Sequence, residues 1–220
     1  MGFLRDRARS LSFTRYAASS VWHDHSWHAR TPTHFHRSQK GNTMTTNTHT
    51  TLLNDVDIEA VGGLIQAVSD DSAKAATRWR ASVTWLGGFR SEAKVRSFAP
   101  IGSDEPAALG GTDSAPNPVE QVLAALGNCL AVGYAANATA RGIEIRELSV
   151  DIAGNLDLHT FLGLRPGGYA GFDDITVEVK LESDATQEQF ADLHEHVLST
   201  SPVGHTLRAA VPLTASITLG

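Results

Sequence analysis

NPVEQVLAALGNCLAVGYAANATARG, residues 117–142, reads as one long helix with its own start and stop signals. Asn117 supplies an N-cap side chain, and Pro118 fits the first helical position because its missing N–H would have no partner there. Glu120 stands where a capping box places its acid, and Gly142 suits the left-handed residue that ends a helix near Ala140 or Arg141. Residues 121–140 carry no charge and match a membrane span in length. Gln121, Asn128 and Asn137 interrupt them, most of the apolar residues are alanine, and no belt of Trp, Tyr and Lys flanks them, so a span is the weaker reading. Small residues on nearly every side (Ala124, Ala125, Gly127, Ala131, Gly133, Ala135, Ala136) predict a central helix buried on most faces.

The surrounding text falls into elements that frame this helix. Upstream, Asn54 or Asp55 can cap an amphipathic helix carrying Val56, Ile58, Val61, Leu64, Ile65 and Val68. WRASVTW and FRSEAKVRSF alternate apolar and polar residues on either side of Leu86-Gly87-Gly88, which predicts a β-hairpin. Residues 99–118 concentrate Pro, Gly, Ser and Asp and read as a long ordered loop. Downstream, ELSVDIAGNLDL and DDITVEVKLE alternate with period two and are strands joined by the glycine-rich FLGLRPGGYAGF. ATQEQFADLHEHVLS has helical spacing at Phe190, Leu193 and Val197, and VPLTASITL, residues 211–219, reads as a closing strand. Helix, hairpin, central helix, two strands, helix and strand make an α+β domain with antiparallel character.

Charge divides the chain. Residues 1–43 hold Arg5, Arg7, Arg9, Arg15, Arg30, Arg37 and Lys40 against Asp6 and Asp24, a net of +5 that leaves −11 for residues 44–220 of a chain whose total is −6. The acidic body disfavours a general nucleic-acid binder. The basic segment has no sustained apolar period, so residues 1–43 are expected to be a disordered extension preceding a domain over 44–220, with Met44 the expected natural start. Its histidines (His23, His25, His28, His34, His36) have no fixed geometry for a functional metal site, and none is expected elsewhere, since His159, His194 and His196 show no metal spacing. His194 and His196 point to different helix faces and are expected to be solvated.

Cys129 is the only cysteine in 220 residues, so an intrachain disulfide, a Cys-based zinc ribbon and an iron–sulfur centre are all excluded. A lone reactive thiol or an inert buried one remains. Absence of disulfides and of a clear signal sequence points to the cytoplasm. A reactive thiol needs a cation, for which Arg90 and Arg96 on the hairpin are candidates. Glu120 can orient such an arginine, although nine helical residues turn it to the side opposite Cys129. Ser201 is a ready N-cap for a short helix begun by Pro202, and His205, four residues on, shares its face and is a candidate partner for the thiol across an interface.

NPVEQVLAALGNC followed by SPVGHTLRAAVPL resembles the OsmC/Ohr family of osmotically inducible and organic hydroperoxide resistance proteins. The likeness extends over residues 54–219 through the LGGTD loop and the FLGL and RPGGY segments. The resemblance implies an OsmC-like fold, in which antiparallel sheets wrap long central helices in an intertwined homodimer, with thiol sites at the interface. It also implies reduction of organic hydroperoxides by a reactive Cys that becomes a sulfenic acid. Cys129 matches the peroxidatic position. Where two-thiol members have Cys-Pro-Val this chain has Ser201-Pro202-Val203, so an external thiol must recycle the enzyme. The family's glutamate position is held by Val119, with Glu120 one residue later, and Arg90 follows a glycine pair as the family's site arginine does. Arg90, Glu120 and Cys129 are thus the expected catalytic residues, with Arg96, Ser201 and His205 as binding candidates. The expected partners are a second copy, a hydroperoxide and a thiol reductant, with no metal or flavin, no nucleic acid and no membrane. The other reading is a non-peroxidase dimer that binds a small apolar or electrophilic ligand, or uses Cys129 as a nucleophile in another reaction.

Overall fold

The long helix α2 (Pro118–Ala140) starts as its sequence requires. Asn117 Oδ1 accepts from the Glu120 amide at 2.9 Å and Glu120 Oε2 accepts from the Asn117 amide at 2.8 Å, which satisfies two otherwise orphaned N–H groups. Gly142, at φ +70°, ends it. The computed structural model describes residues 52–219; the basic segment 1–43 and its histidines lie outside the described residues. In chain order, α1 (Ile58–Asp70), β1 (Ser82–Gly87), β2 (Arg90–Lys94) and β3 (Ile101–Ser103) precede α2. After it come β4 (Glu147–Leu156), β5 (Phe172–Glu182), α3 (Gln187–Thr200) and α4 (Pro202–Arg208). β1, β2 and β3 form one antiparallel sheet in that order, and β4 and β5 form another. The architecture is α+β, as the alternation of periods predicts.

The core lies between α2, α3 and one face of the β4–β5 ribbon. Leu126, Leu130, Tyr134 and Ala138, spaced four apart on α2, are buried against Leu193 and Val197 of α3. The ribbon adds Leu148, Val150, Ile152, Ile175, Val177, Val179 and Leu181, paired across the strands as Leu148 with Leu181, Val150 with Val179 and Ile152 with Val177. Period two therefore puts all seven on one face. At Gly133 the helices approach so closely that a Cβ would stand 2.9 Å from Val197 Cγ1.

Several expectations are corrected. The cap of α1 is Asp57, which accepts from the Ala60 amide at 2.9 Å, and not Asn54 or Asp55. Both of those residues have φ +54°, outside the helical region. The Asn54 side chain instead binds the far end of α2, donating to Thr139 Oγ1 and to the Ile143 carbonyl and accepting from the Ile145 amide. Ile101–Ser103, read as loop, is a third strand, because Ser91, Glu92 and Ala93 offer a free edge to it. Residues 211–219 form no strand; Val211, Leu213, Ile217 and Leu219 are exposed, Leu213 by 94%. A strand exists by pairing, and here no ladder engages them. α2 is buried along one stripe and not on most faces, since a single chain covers only one side of it. His194 is not simply solvated: its Nδ1 is hydrogen-bonded to the Tyr134 hydroxyl, because that hydroxyl is wholly buried and requires a partner.

The loop ahead of α2 is organised by one carboxylate. Asp104, 1% exposed, accepts hydrogen bonds from the amides of Glu105, Thr112 and Ser114 and from the hydroxyls of Thr112 and Ser114. Gln121 Nε2 donates to the carbonyls of Gly102 and Pro116, tying β3 to the first turn of α2.

Two stability predictions follow from these groups. The Thr112 hydroxyl bond, with the other donors, holds the Asp104 carboxyl well below the usual carboxylate range. Its contribution is therefore complete above the unfolded value of roughly 4 and is lost as pH falls below it. Acid titration of thermal stability should show this loss, and Asp104→Asn should lower Tm at neutral pH and flatten the acid limb. Tyr134 is pushed up to about 12 by burial. Stability should be flat with respect to this group below about pH 10 and decline between there and its folded value, the unfolded chain ionising first. Tyr134→Phe should remove that alkaline slope while costing about 1 kcal/mol for the lost bond to His194, read by phenolate absorbance and chemical denaturation.

Candidate functional site

Cys129 sits midway along α2, on the side that meets the turn between α3 and α4. α3 ends at Thr200 and α4 begins at Pro202, so Ser201 terminates the first and caps the second. Ser201 Oγ accepts from the Gly204 amide at 3.1 Å and lies 3.2 Å from Cys129 Sγ. The hydroxyl has one proton, and with the amide on an acceptor lone pair that proton is free to point at sulfur. Ser201 is 5% exposed, whereas Cys129 is half-buried and faces a cleft of about 430 Å³.

The cleft walls are Asn128, Val132, Gly133 and Asn137 of α2 with Val197, Thr200 and Pro202 beyond. None of these side chains carries a charge. Val132 and Gly133 are three and four residues after Cys129, so helical spacing alone makes them legible. Val197 and Thr200 are brought in by the α2–α3 contact at Gly133 and have no local signal.

Of the residues expected at the site, Ser201 alone touches Cys129. Glu120 is not among the cleft walls; its carboxylate closes the capping box, and its side of α2 faces a separate groove. Arg90 opens β2, exposed, and is not part of the cleft. Arg96, at φ +51°, stacks its guanidinium 4.6 Å from the centre of the Phe98 ring. His205 does follow Ser201 by one turn, but its Nε2 is 2.7 Å from the Ser199 carbonyl and the ring is not a cleft wall. The thiol–imidazole pairing is therefore not formed within the chain, because a nearer acceptor holds the ring. Among the described residues no group of three or more His, Cys, Asp or Glu is placed to hold a metal ion.

On the side of α2 opposite Cys129 runs a second, larger groove of about 760 Å³. Leu123, Ala124, Gly127 and Ala131 form one wall and Leu148, Val150 and Ile152 the other, with Glu120 and Pro116 among its lining. The hairpin sheet has an uncovered apolar face of its own. Val83, Ala93 and Ile101 stand in register across its three strands, and Trp85 beside them is 73% exposed.

Residues 111–216 match the family of OsmC-like proteins. No curated protein sequence matches the chain. Among solved structures, an OsmC-like protein from Mycoplasma pneumoniae is similar at 19% identity with a TM-score of 0.53, over 60% of this chain and 88% of that one. An OsmC-like protein of unknown function from Vibrio cholerae O1 biovar eltor is similar at 12% identity and a TM-score of 0.51, over 60% of this chain and 94% of that one. At these identities the likeness is one of fold.

The contact between sulfur and hydroxyl yields a direct test. Ser201→Cys should bring a second sulfur close enough to form a disulfide with Cys129 after small side-chain rotation. Mild oxidation should then remove both free thiols in an intact-mass measurement, while the parent chain retains its single titratable thiol.

Proposed function

Because the chain carries an OsmC-like domain over residues 111–216, we propose that it is a thiol-dependent redox protein that reduces organic hydroperoxides through Cys129 alone. The observation that carries this reading is the Cys129–Ser201 contact at 3.2 Å. A hydroxyl stands beside the reactive sulfur where two-thiol relatives hold a second sulfur, so the first half of the reaction keeps its nucleophile and the second half loses its internal partner.

The chemistry closes without a metal or flavin. The Cys129 thiolate attacks one oxygen of the hydroperoxide; the S–O bond forms, the O–O bond breaks, and the alkoxide leaves as an alcohol after taking a proton. Ser201 donates its hydroxyl proton toward the oxidised sulfur group. An external thiol then attacks the sulfenic sulfur, forming a mixed disulfide and releasing water, and a second thiol frees Cys129 as the symmetric disulfide departs. Two thiols are oxidised for each hydroperoxide reduced.

The site is completed by a second copy in this reading. No charged side chain lines the Cys129 cleft, while Arg90 and Glu120 lie elsewhere in the same chain. Three uncovered apolar features support an intertwined homodimer: the Val83–Trp85 face, the α2–β4 groove and residues 211–219. Burying aromatic and aliphatic area of this kind is the main driving force for obligate association. The uncharged cleft also favours the second reading, in which the dimer binds an apolar electrophile and Cys129 attacks it directly.

Mass spectrometry after stoichiometric cumene hydroperoxide with dimedone present separates the two, using Cys129→Ser as control. A rapid adduct confined to Cys129 is expected. No adduct at peroxide concentrations that oxidise free cysteine sinks the peroxidase reading and leaves the ligand-binding one.

A further inference from the structure

A cavity of about 310 Å³ lies beside the α3–α4 pair and shares no lining residue with the thiol cleft. Leu126 and Leu130 of α2, Ile175 and Val177 of β5, and Leu198 and Leu207 of α3 and α4 make its walls apolar. Leu126 and Leu130 are buried, whereas Leu207 is 39% exposed, so the slot has a closed end and an open mouth. A space of this size with aliphatic walls accepts a small hydrocarbon, and the polar groups at its rim decide which head group comes with it.

One cation is fixed at that rim. Arg208, the exposed last residue of α4, donates from Nε to the Gly204 carbonyl at 3.2 Å and from Nη2 to the Leu198 carbonyl at 2.7 Å. Gly204 and Leu198 both line the cavity, so two bonds to its walls hold the guanidinium beside it instead of leaving it to swing in solvent. Bonds to neutral carbonyls leave the charge intact, and a guanidinium has five N–H groups. These two bonds use the one on Nε and one on Nη2, which leaves both on Nη1 and the second on Nη2. Arg208 forms no ion pair among the described residues. Of the acids that begin β5, Asp174 is bonded to Asn155 on the strand face turned away from the cavity, Asp173 is exposed, and neither is bonded to Arg208. A planar guanidinium held in place with adjacent N–H groups unused suits a carboxylate, which accepts two parallel bonds.

We propose that this cavity binds an aliphatic monocarboxylate, with its chain among Leu126, Leu130 and Val177 and its carboxylate on Arg208. The chain supplies most of the affinity by leaving water, and the ion pair at the open mouth selects the anion. The site is separate from Cys129 and does not depend on peroxide chemistry.

Octanoate, ionised at neutral pH, is the probe, titrated into the full chain with the amides of Val177, Leu198 and Leu207 followed by NMR. Saturable shifts at these amides are expected, with octanoate about fivefold tighter than 1-octanol or octylamine, the upper end for an exposed ion pair. Arg208→Gln should bring octanoate down to the level of 1-octanol and leave 1-octanol binding as it was, which shows that the apolar walls are intact. Arg208→Lys, which keeps the charge without the planar fork, should retain part of the preference. Cys129→Ser should bind octanoate unchanged, which keeps this result apart from the fate of the peroxidase reading. Equal binding of 1-octanol or octylamine to the parent chain overturns the proposal even if Arg208→Gln fails to fold, and so does an unchanged preference in a folded Arg208→Gln. Shifts of the same amides with protein concentration and none with octanoate would also overturn it, and would assign the cavity to a second copy.

Discussion

The missing side chain at Gly133 sets the geometry of the whole site. A methyl group there would stand 2.9 Å from Val197 Cγ1, inside contact distance, so α3 could not lie as close to α2 as it does. One turn before Gly133 is Cys129, and one turn after Val197 the chain reaches Ser201. Helix separation at the glycine is therefore transmitted through two rigid turns to the sulfur–oxygen contact. The Tyr134–His194 bond, next to Gly133 on α2, holds the same pair of helices together from the flank. Few other residues in the chain carry so much of the arrangement.

Residues 117–142 announced α2 because each of their signals is local: a cap, a proline, an acid three residues later and a terminal glycine all act within a few bonds of the backbone they satisfy. The β4–β5 ribbon was equally legible, since period two is imposed by the strand itself. What sequence did not reveal depends on distant partners. Asn54 looked like a helix cap and serves instead as a bracket for the end of α2, a role set by residues some ninety positions away. Ile101–Ser103 is too short to show a period and is a strand only because β2 lends it an edge. Residues 211–219 carry a clear alternation and still form no strand in this chain, which separates the propensity to pair from the presence of something to pair with.

The candidate site divides in the same way. Cys129 and Ser201 were legible from the sequence, and the fold brings them together across 72 residues. Arg90 and Glu120, expected from the resemblance, and Arg96 and His205, expected as binding residues, do not line the Cys129 cleft within this one chain: they stand at a strand end, in a capping box, over a ring and against a carbonyl. Chemical suitability says nothing of where a side chain is carried. The cleft walls from α3 left no trace in composition because valine and threonine on a helix read as ordinary surface or core.

Ser201 performs two tasks with one atom. Its oxygen receives the Gly204 amide, which starts α4, and it also meets the sulfur of Cys129. Sulfur is a poor hydrogen-bond acceptor beside oxygen, so a chain that exchanged this hydroxyl for a thiol would gain a redox partner and loosen the first turn of the helix holding it. The number of thiols in the cleft and the capping of α4 are thus linked at a single position. A Ser201→Cys exchange would therefore be felt in the first turn of α4 as well as in the thiol content of the cleft.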